Sequence, residues 1–223
     1  MGQELPDYYD NLNIAVLEAI PADAGLVLEF GCGAGRLGLE FKKFHPASRY
    51  YGVELHPQAA AVAATRLDMT LCAPAEDADF GFLSGQVDCI VYADVLEHLV
   101  DPWSVLKRHR DLLKPGGRIV ASIPNIQHWS VLALLMAGIW DYQDNGVMDR
   151  THLRFFTLGG IRKMFDAAGL DIDDVQGTIV PAAEAKLFFD VVAPVVPALG
   201  FNEETFRKQA EAYQYLVTAS RRD

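Results

Sequence analysis

The chain has 223 residues, 51% hydrophobic and 22% charged, which suits one α/β domain with a full core and is too short for two comfortable ones. Its net charge of −11 comes without runs of Lys or Arg, and this excludes a general nucleic-acid surface, because phosphate binding needs clustered cations. Cys32, Cys72 and Cys89 form no C-x-x-C pair, so neither a disulfide framework nor a zinc knuckle is implied, and reduced thiols fit a cytoplasmic protein.

Residues 1–7 lack the basic, then apolar, pattern of a signal peptide. The first strand is predicted over Leu26–Phe30 and breaks into Gly31, Gly33 and Gly35, alternating glycines whose freedom of φ allows a sharp turn and a close ligand. A helix is expected over Arg36–Phe44, a strand over Tyr50–Glu54, a helix over Pro57–Leu67 and a short strand near Thr70–Ala73. The strand Val87–Ala93 follows, then a helix over Pro102–Leu113 with Pro102 in its first turn after Asp101. Lys114–Gly117 reads as a turn and Arg118–Ile123 as the next strand.

Ile126 to Ile139 reads as an inserted helical segment. Thr157 can cap a helix running to Ala168, and Gly169 can supply its left-handed exit. Strands near Ile172–Val180 and Tyr213–Ala219 complete the pattern. The alternation of strands and helices predicts a doubly wound, mostly parallel sheet in a single domain over 1–223. Within it, a cofactor-binding core covers about 24–125, and substrate-side insertions cover about 126–156 and 181–211. The apolar stretches Ile126–Trp140 and Leu187–Phe201 are interrupted by polar residues, Gly or Pro and fall short of a membrane span. They are expected to form a lid or a homodimer surface, and no membrane partner is expected.

Two cofactor classes share a glycine turn of this kind. Gly33–Gly38 fits G-x-G-x-x-G, whereas Glu29–Gly35 fits E-x-G-x-G-x-G. Glu29 favours the second pattern, since a carboxylate at the strand end repels a pyrophosphate and suits the ammonium and sulfonium of S-adenosylmethionine. Glu54 ends the second strand nineteen positions after Gly35, where a carboxylate can accept both ribose hydroxyls. Leu55 and His56 would flank the adenine.

Taken together, Glu29–Gly35, Glu54, Val87–His98 and Leu112–Arg118 resemble the class I S-adenosylmethionine-dependent methyltransferases over roughly residues 24–170. The resemblance implies a Rossmann-like, seven-stranded sheet whose last strand is antiparallel. It places Glu29, Gly31, Gly33 and Gly35 around the methionyl part of the cofactor and Glu54 at the ribose, with Phe30 and Cys32 also among the cofactor-binding residues. Ala93 and Asp94 would lie by the sulfonium. Family members commonly carry Asp after the third strand to contact the adenine amine, but Pro74 stands there, so Ala75 or Glu76 would take that contact.

Methyl transfer requires alignment, exclusion of water and, for a hydroxyl acceptor, removal of a proton. His98 and His152 are the candidate bases. The polar segment Asp149–Thr157 with Ser122–Asn125 and His128–Ser130 resembles methyltransferases of bacterial polysaccharide and natural-product sugar pathways. That likeness makes Asn125, Trp129, Arg150 and Arg154 candidate contacts to a small-molecule acceptor. Arg150 and Arg154 could equally pair with Asp141, Asp144 or Asp149 and order the lid. The aromatics Tyr8, Tyr9, Trp129, Trp140 and Tyr142 could stack over the site or pack in the insertion.

Asp94-x-x-Glu97-His98 with a distant His152 mimics the E-x-x-E-H arrangement of metal-assisted methyltransferases. Because Asp is shorter than Glu and the Glu-His pair also occurs in metal-free relatives, a divalent metal is not favoured and no metal ligand is assigned. N- or C-methylation and a non-catalytic cofactor-binding protein remain alternatives. Tyr92-Ala93-Asp94-Val95 also lacks the Asn/Asp-Pro-Pro-aromatic pattern of base-flipping enzymes.

Overall fold

The apolar run Leu26–Phe30 forms β1, with all five residues buried at the centre of a seven-stranded sheet. The structure is a computed structural model and describes residues 6–222. Ahead of β1, α1 (Ile14–Ala19) is a short helix that the residue pattern does not announce, started by the Asn13 side chain, which accepts the Val16 N–H at 3.1 Å. Next come α2 (Arg36–Phe44), β2 (Arg49–Glu54), α3 (Pro57–Ala63), β3 (Met69–Cys72), β4 (Val87–Ala93) and α4 (Pro102–Arg110). The chain continues through β5 (Leu113–Pro124), α5 (Trp129–Met136), α6 (Leu158–Ala167) and β6 (Leu170–Ile179). It ends with α7 (Ala183–Val192), α8 (Glu203–Glu211) and β7 (Ala212–Arg221).

The strand order is β3-β2-β1-β4-β5-β7-β6. β1 pairs in parallel with β2 and β4, and β7 runs antiparallel to both β5 and β6, so the anticipated mostly parallel sheet with a reversed last strand is what forms. Side chains alternate across β1. Leu26, Leu28 and Phe30 enter one core with Tyr92, Leu106 and Phe165, while Val27 enters the other with Phe41, Tyr50 and Cys89. Glu29 falls on this second face by the same alternation.

Several ends differ from the predicted ones. α3 stops at Ala63 and not at Leu67, because the next N–H groups of Thr65 and Arg66 bond three residues back and tighten the chain into turns. α4 stops at Arg110, and the expected turn Lys114–Gly117 is drawn into β5, with a register shift against β4 between Val87 and Cys89. The capping predictions hold: Asp101 accepts the Ser104 N–H at 3.1 Å ahead of Pro102, and Thr157 accepts the Gly160 N–H at 3.2 Å.

The second insertion folds as α7 and α8, with Phe188 and Phe189 buried against Ala210. On its outer side Leu187, Val191, Val195, Leu199 and Phe201 are exposed, on the segment expected to form a lid or a dimer surface. No helix among the described residues is long and apolar enough to cross a membrane.

Candidate active site

Ligands of open α/β sheets lie beyond the carboxyl ends of the strands, and here the ends of β1, β2 and β4 bring the expected site residues together. After Phe30 the chain reverses over β2, with the Gly31 and Cys32 N–H groups both donating to the Val53 carbonyl at 2.8 and 3.0 Å. Gly31, Gly33 and Gly35 all have positive φ, from 54° to 77°. A Cβ on Gly33 would stand 2.5 Å from the Tyr9 carbonyl, so this glycine is required by close approach as well as by conformation.

Glu54 is the clasp of this turn. One carboxylate oxygen accepts the Gly33 N–H at 2.8 Å and the other accepts the His56 N–H at 2.8 Å. Each oxygen keeps a further lone pair, so the group can hold the turn and still receive ribose hydroxyls. Beside it, Leu55 is exposed, and His56 stacks on the Tyr9 ring with centroids 4.7 Å apart. The Tyr9 carbonyl accepts the Ala34 N–H at 2.7 Å, and Arg66 reaches both Asp10 and the Ala34 carbonyl. The N-terminal arm is thus laid over the glycine turn. Trp140 and Tyr142 instead lie exposed on the insertion, and the Tyr8 side chain lies outside the described residues.

Glu29 is buried, and its carboxyl accepts the Tyr50 hydroxyl at 3.0 Å. Burial is the main cause that pushes its pKa up to about 8, the Tyr50 hydrogen bond opposing and the Glu54 charge adding to the rise. The free protein therefore holds Glu29 largely neutral at pH 7. Burial likewise raises the Cys32 thiol, which makes this cysteine a packing residue of the turn and no nucleophile.

Ala75 and Glu76 sit beyond β3. The Glu76 carboxylate accepts the Asp101 N–H at 3.0 Å and its carbonyl receives Arg108, so this residue ties its loop to the start of α4. Asp94 follows Ala93 at the end of β4 with φ 55°, an uncommon conformation for a residue with a side chain. Its N–H faces Ser122, and its carboxylate receives the Gln214 amide from β7. Burial raises its pKa to about 6.

Beyond Asp94 opens a cleft of about 210 Å³, lined among others by Asp94, Glu97, His98, Asp149, His152 and Gln214. Glu97 is 1% exposed and neither carboxylate oxygen has a hydrogen-bond partner, while its backbone carbonyl takes the N–H groups of Leu153 and Arg154. Burial, with Asp94 nearby, raises its pKa well above the usual carboxylate range. His98 and His152 meet edge to face with centroids 4.8 Å apart. His152 Nδ1 lies 3.1 Å from the Val147 carbonyl and His98 Nδ1 lies 3.2 Å from the Thr151 carbonyl. Burial lowers the His152 pKa.

The four expected acceptor contacts do not converge. Asn125 is fully buried, donates to the Gln209 and Ala212 carbonyls at 2.8 and 2.6 Å and accepts the Gln127 N–H, so its amide is occupied by the backbone. Trp129 packs with Phe188 in the insertion. Arg150 pairs with Asp144 on the surface, and Arg154 grips the Val100 carbonyl. Gln214 and Asn145, which the residue pattern does not single out, do face the cleft. Their approach depends on the reversed strand β7 and on the loop before Asp149, for which no local signal exists.

A methyltransferase-domain family model matches residues 7–175, most of the chain. The chain belongs to this methyltransferase-domain family. Among its relatives, an uncharacterised 37.1 kDa protein of a Streptomyces fradiae transposon is 28% identical over 222 residues, covering 96% of this chain and 60% of that one. A ubiquinone biosynthesis O-methyltransferase of Nitrobacter winogradskyi is 30% identical over 167 residues, covering 70% of this chain and 60% of its own length. The chain thus spans about 60% of the length of these curated relatives. A solved Burkholderia thailandensis 1,6-didemethyltoxoflavin-N1-methyltransferase, with bound 1,6-didemethyltoxoflavin and S-adenosylhomocysteine, is similar at TM-score 0.59 and 20% identity, covering 94% of this chain and 77% of that one. This last likeness speaks to the fold of the methyltransferase domain alone.

Proposed function

We propose that this methyltransferase domain uses S-adenosylmethionine to methylate a hydroxyl of a small metabolite, a sugar or a similar molecule. The observation that carries the reading is the adjacency of two features at the ends of β1 and β4: the glycine turn clasped by Glu54, and the acidic cleft holding His98 and His152. Gly31 to Gly35 offer close backbone, Glu29 a carboxyl group and Glu54 a ribose acceptor, while Ala93 and Asp94 stand between cofactor turn and cleft. The O-methyltransferase relatives support oxygen as the acceptor atom.

Methyl transfer is an in-line displacement, so most of the catalysis comes from alignment in a water-poor site. The acceptor hydroxyl is activated at His98 or His152, which both line the cleft, His98 half-buried and His152 buried. The test is calorimetry with S-adenosylhomocysteine and with NAD, followed by methyl transfer from labelled S-adenosylmethionine to a panel of sugars, phenols and amines. Micromolar S-adenosylhomocysteine affinity with turnover on a hydroxyl acceptor is expected. Binding of NAD alone, or transfer only to amines, overturns the reading.

A further inference from the structure

From Leu187 to Phe201 the chain carries a single charged residue, Asp190. The second half of α7 is therefore apolar on both of its sides. Phe188 and Phe189 fill the inner side, packed with Ala210 and Trp129, and this fixes the helix to the domain. The outer side presents Leu187 and Val191, one turn apart, and the tighter helical stretch Ala193–Leu199 continues the surface with Val195 and Leu199. These four side chains are 55–70% exposed. A helix that is apolar all round is a buried helix, and an exposed apolar patch of this extent marks a contact surface.

The occupant is narrowed by what surrounds the patch. None of the residues lining the acceptor cleft comes from this segment, so the patch is not the inner face of a lid over the cleft. Helices that lie on a bilayer carry Lys and Arg along their polar face, whereas Lys186 is the one basic residue between 180 and 206 in a chain of net charge −11. Lys186 and Asp190 pair on the exposed surface of α7. Each precedes a residue of the stripe by one position, so both lie about 100° round the helix from it, on the same flank. When two such helices pack antiparallel about a two-fold axis, like flanks face each other with chain directions opposed. Lys186 then faces Asp190 of the partner subunit, and Asp190 faces the partner subunit's Lys186.

We infer that two copies of this chain associate through α7 and the turns that follow it, in an apolar seam centred on Leu187 and Val191 and rimmed by reciprocal Lys186–Asp190 pairs. Burial of the seam supplies the affinity, and the rim charges fix the antiparallel orientation. Because no residue of the seam lines the cleft, the inference is independent of the methyl-transfer reading.

The test is sedimentation equilibrium of the full chain across the micromolar range. Wild-type protein is expected to approach twice the chain mass, and Val191→Asp, which puts a charge in the seam, is expected to sediment as a single chain with an unchanged circular dichroism spectrum. Lys186→Glu and Asp190→Lys, each of which sets like charges across the axis, are expected to raise the dimer dissociation constant at least tenfold when studied alone. An equimolar mixture of these two variants is expected to associate again, because opposite charges then meet across the interface, an outcome that a change within one helix cannot produce. A wild type that remains a single chain throughout the range, or a mixture no more associated than its separate components, overturns the proposal. Single-chain wild type that floats with phosphatidylcholine vesicles overturns it in favour of a lipid surface.

Discussion

The Glu54 carboxylate accepts the backbone N–H of Gly33 at 2.8 Å, joining the end of β2 to the turn after β1. The side chain expected to receive a ribose thus also shapes the turn against which the cofactor lies. Loss of Glu54 removes two roles at once. Glu54→Gln keeps one amide oxygen to accept from the backbone and is expected to weaken S-adenosylhomocysteine binding at least tenfold with a small change in stability. Glu54→Ala leaves the Gly33 and His56 N–H groups without this acceptor and is expected to cost about 1–3 kcal/mol in addition. Calorimetry and urea denaturation on the two variants separate the roles.

Glu29 gives the ligand-free protein a pH dependence. Its pKa is about 8 in the fold, above that of an exposed carboxyl, so the folded state holds a proton that the unfolded state releases. Stability contributed by the neutral group is complete below the unfolded pKa, and it falls as pH rises toward 8. Glu29→Gln, which cannot ionise, is expected to flatten the decline between pH 5 and 8 in urea denaturation. A wild-type curve no steeper than that of the variant would refute the assignment.

Gly33→Ala tests the docking of the N-terminal arm. The added methyl group requires a positive φ that costs about 1–2 kcal/mol and meets the Tyr9 carbonyl at 2.5 Å. The arm must move, and with it the stack of Tyr9 on His56. Faster proteolysis near residue 10 and at least tenfold weaker S-adenosylhomocysteine binding are the expected readouts.

Asn125 and Arg150 should separate structure from surface. Asn125→Ala deprives the Gln209 and Ala212 carbonyls of a buried donor and is expected to cost about 2–4 kcal/mol. Arg150→Ala removes only a surface pair with Asp144 and should change stability by less than about 0.5 kcal/mol. Denaturant midpoints compare them directly. A stable Asn125→Ala protein with impaired turnover would return Asn125 to the acceptor site.

The cofactor half could be read locally because its signals are local. Alternating glycines encode a turn whose backbone no other residue adopts as cheaply, the apolar run Leu26–Phe30 encodes a strand buried on both faces, and Asp101–Pro102 and Thr157 encode helix starts. These features depend on spacing within a few residues, so the alternation of elements and the mostly parallel sheet were already legible in the linear chain.

The acceptor half depends on separations along the chain that no spacing rule spans. Glu97 and His152 are 55 positions apart and Asp94 and Gln214 are 120 apart, and only the reversal of β7 and the return of the 145–152 loop bring them together. Polar residues also have more than one means of satisfying their hydrogen bonds. Asn125, Glu76 and Arg154 carry the chemistry of binding residues, yet packing commits each of them to a backbone partner. Glu97 is the reverse case: its local spacing beside His98 is visible in the chain, but only folding removes its water and supplies no hydrogen bond in return.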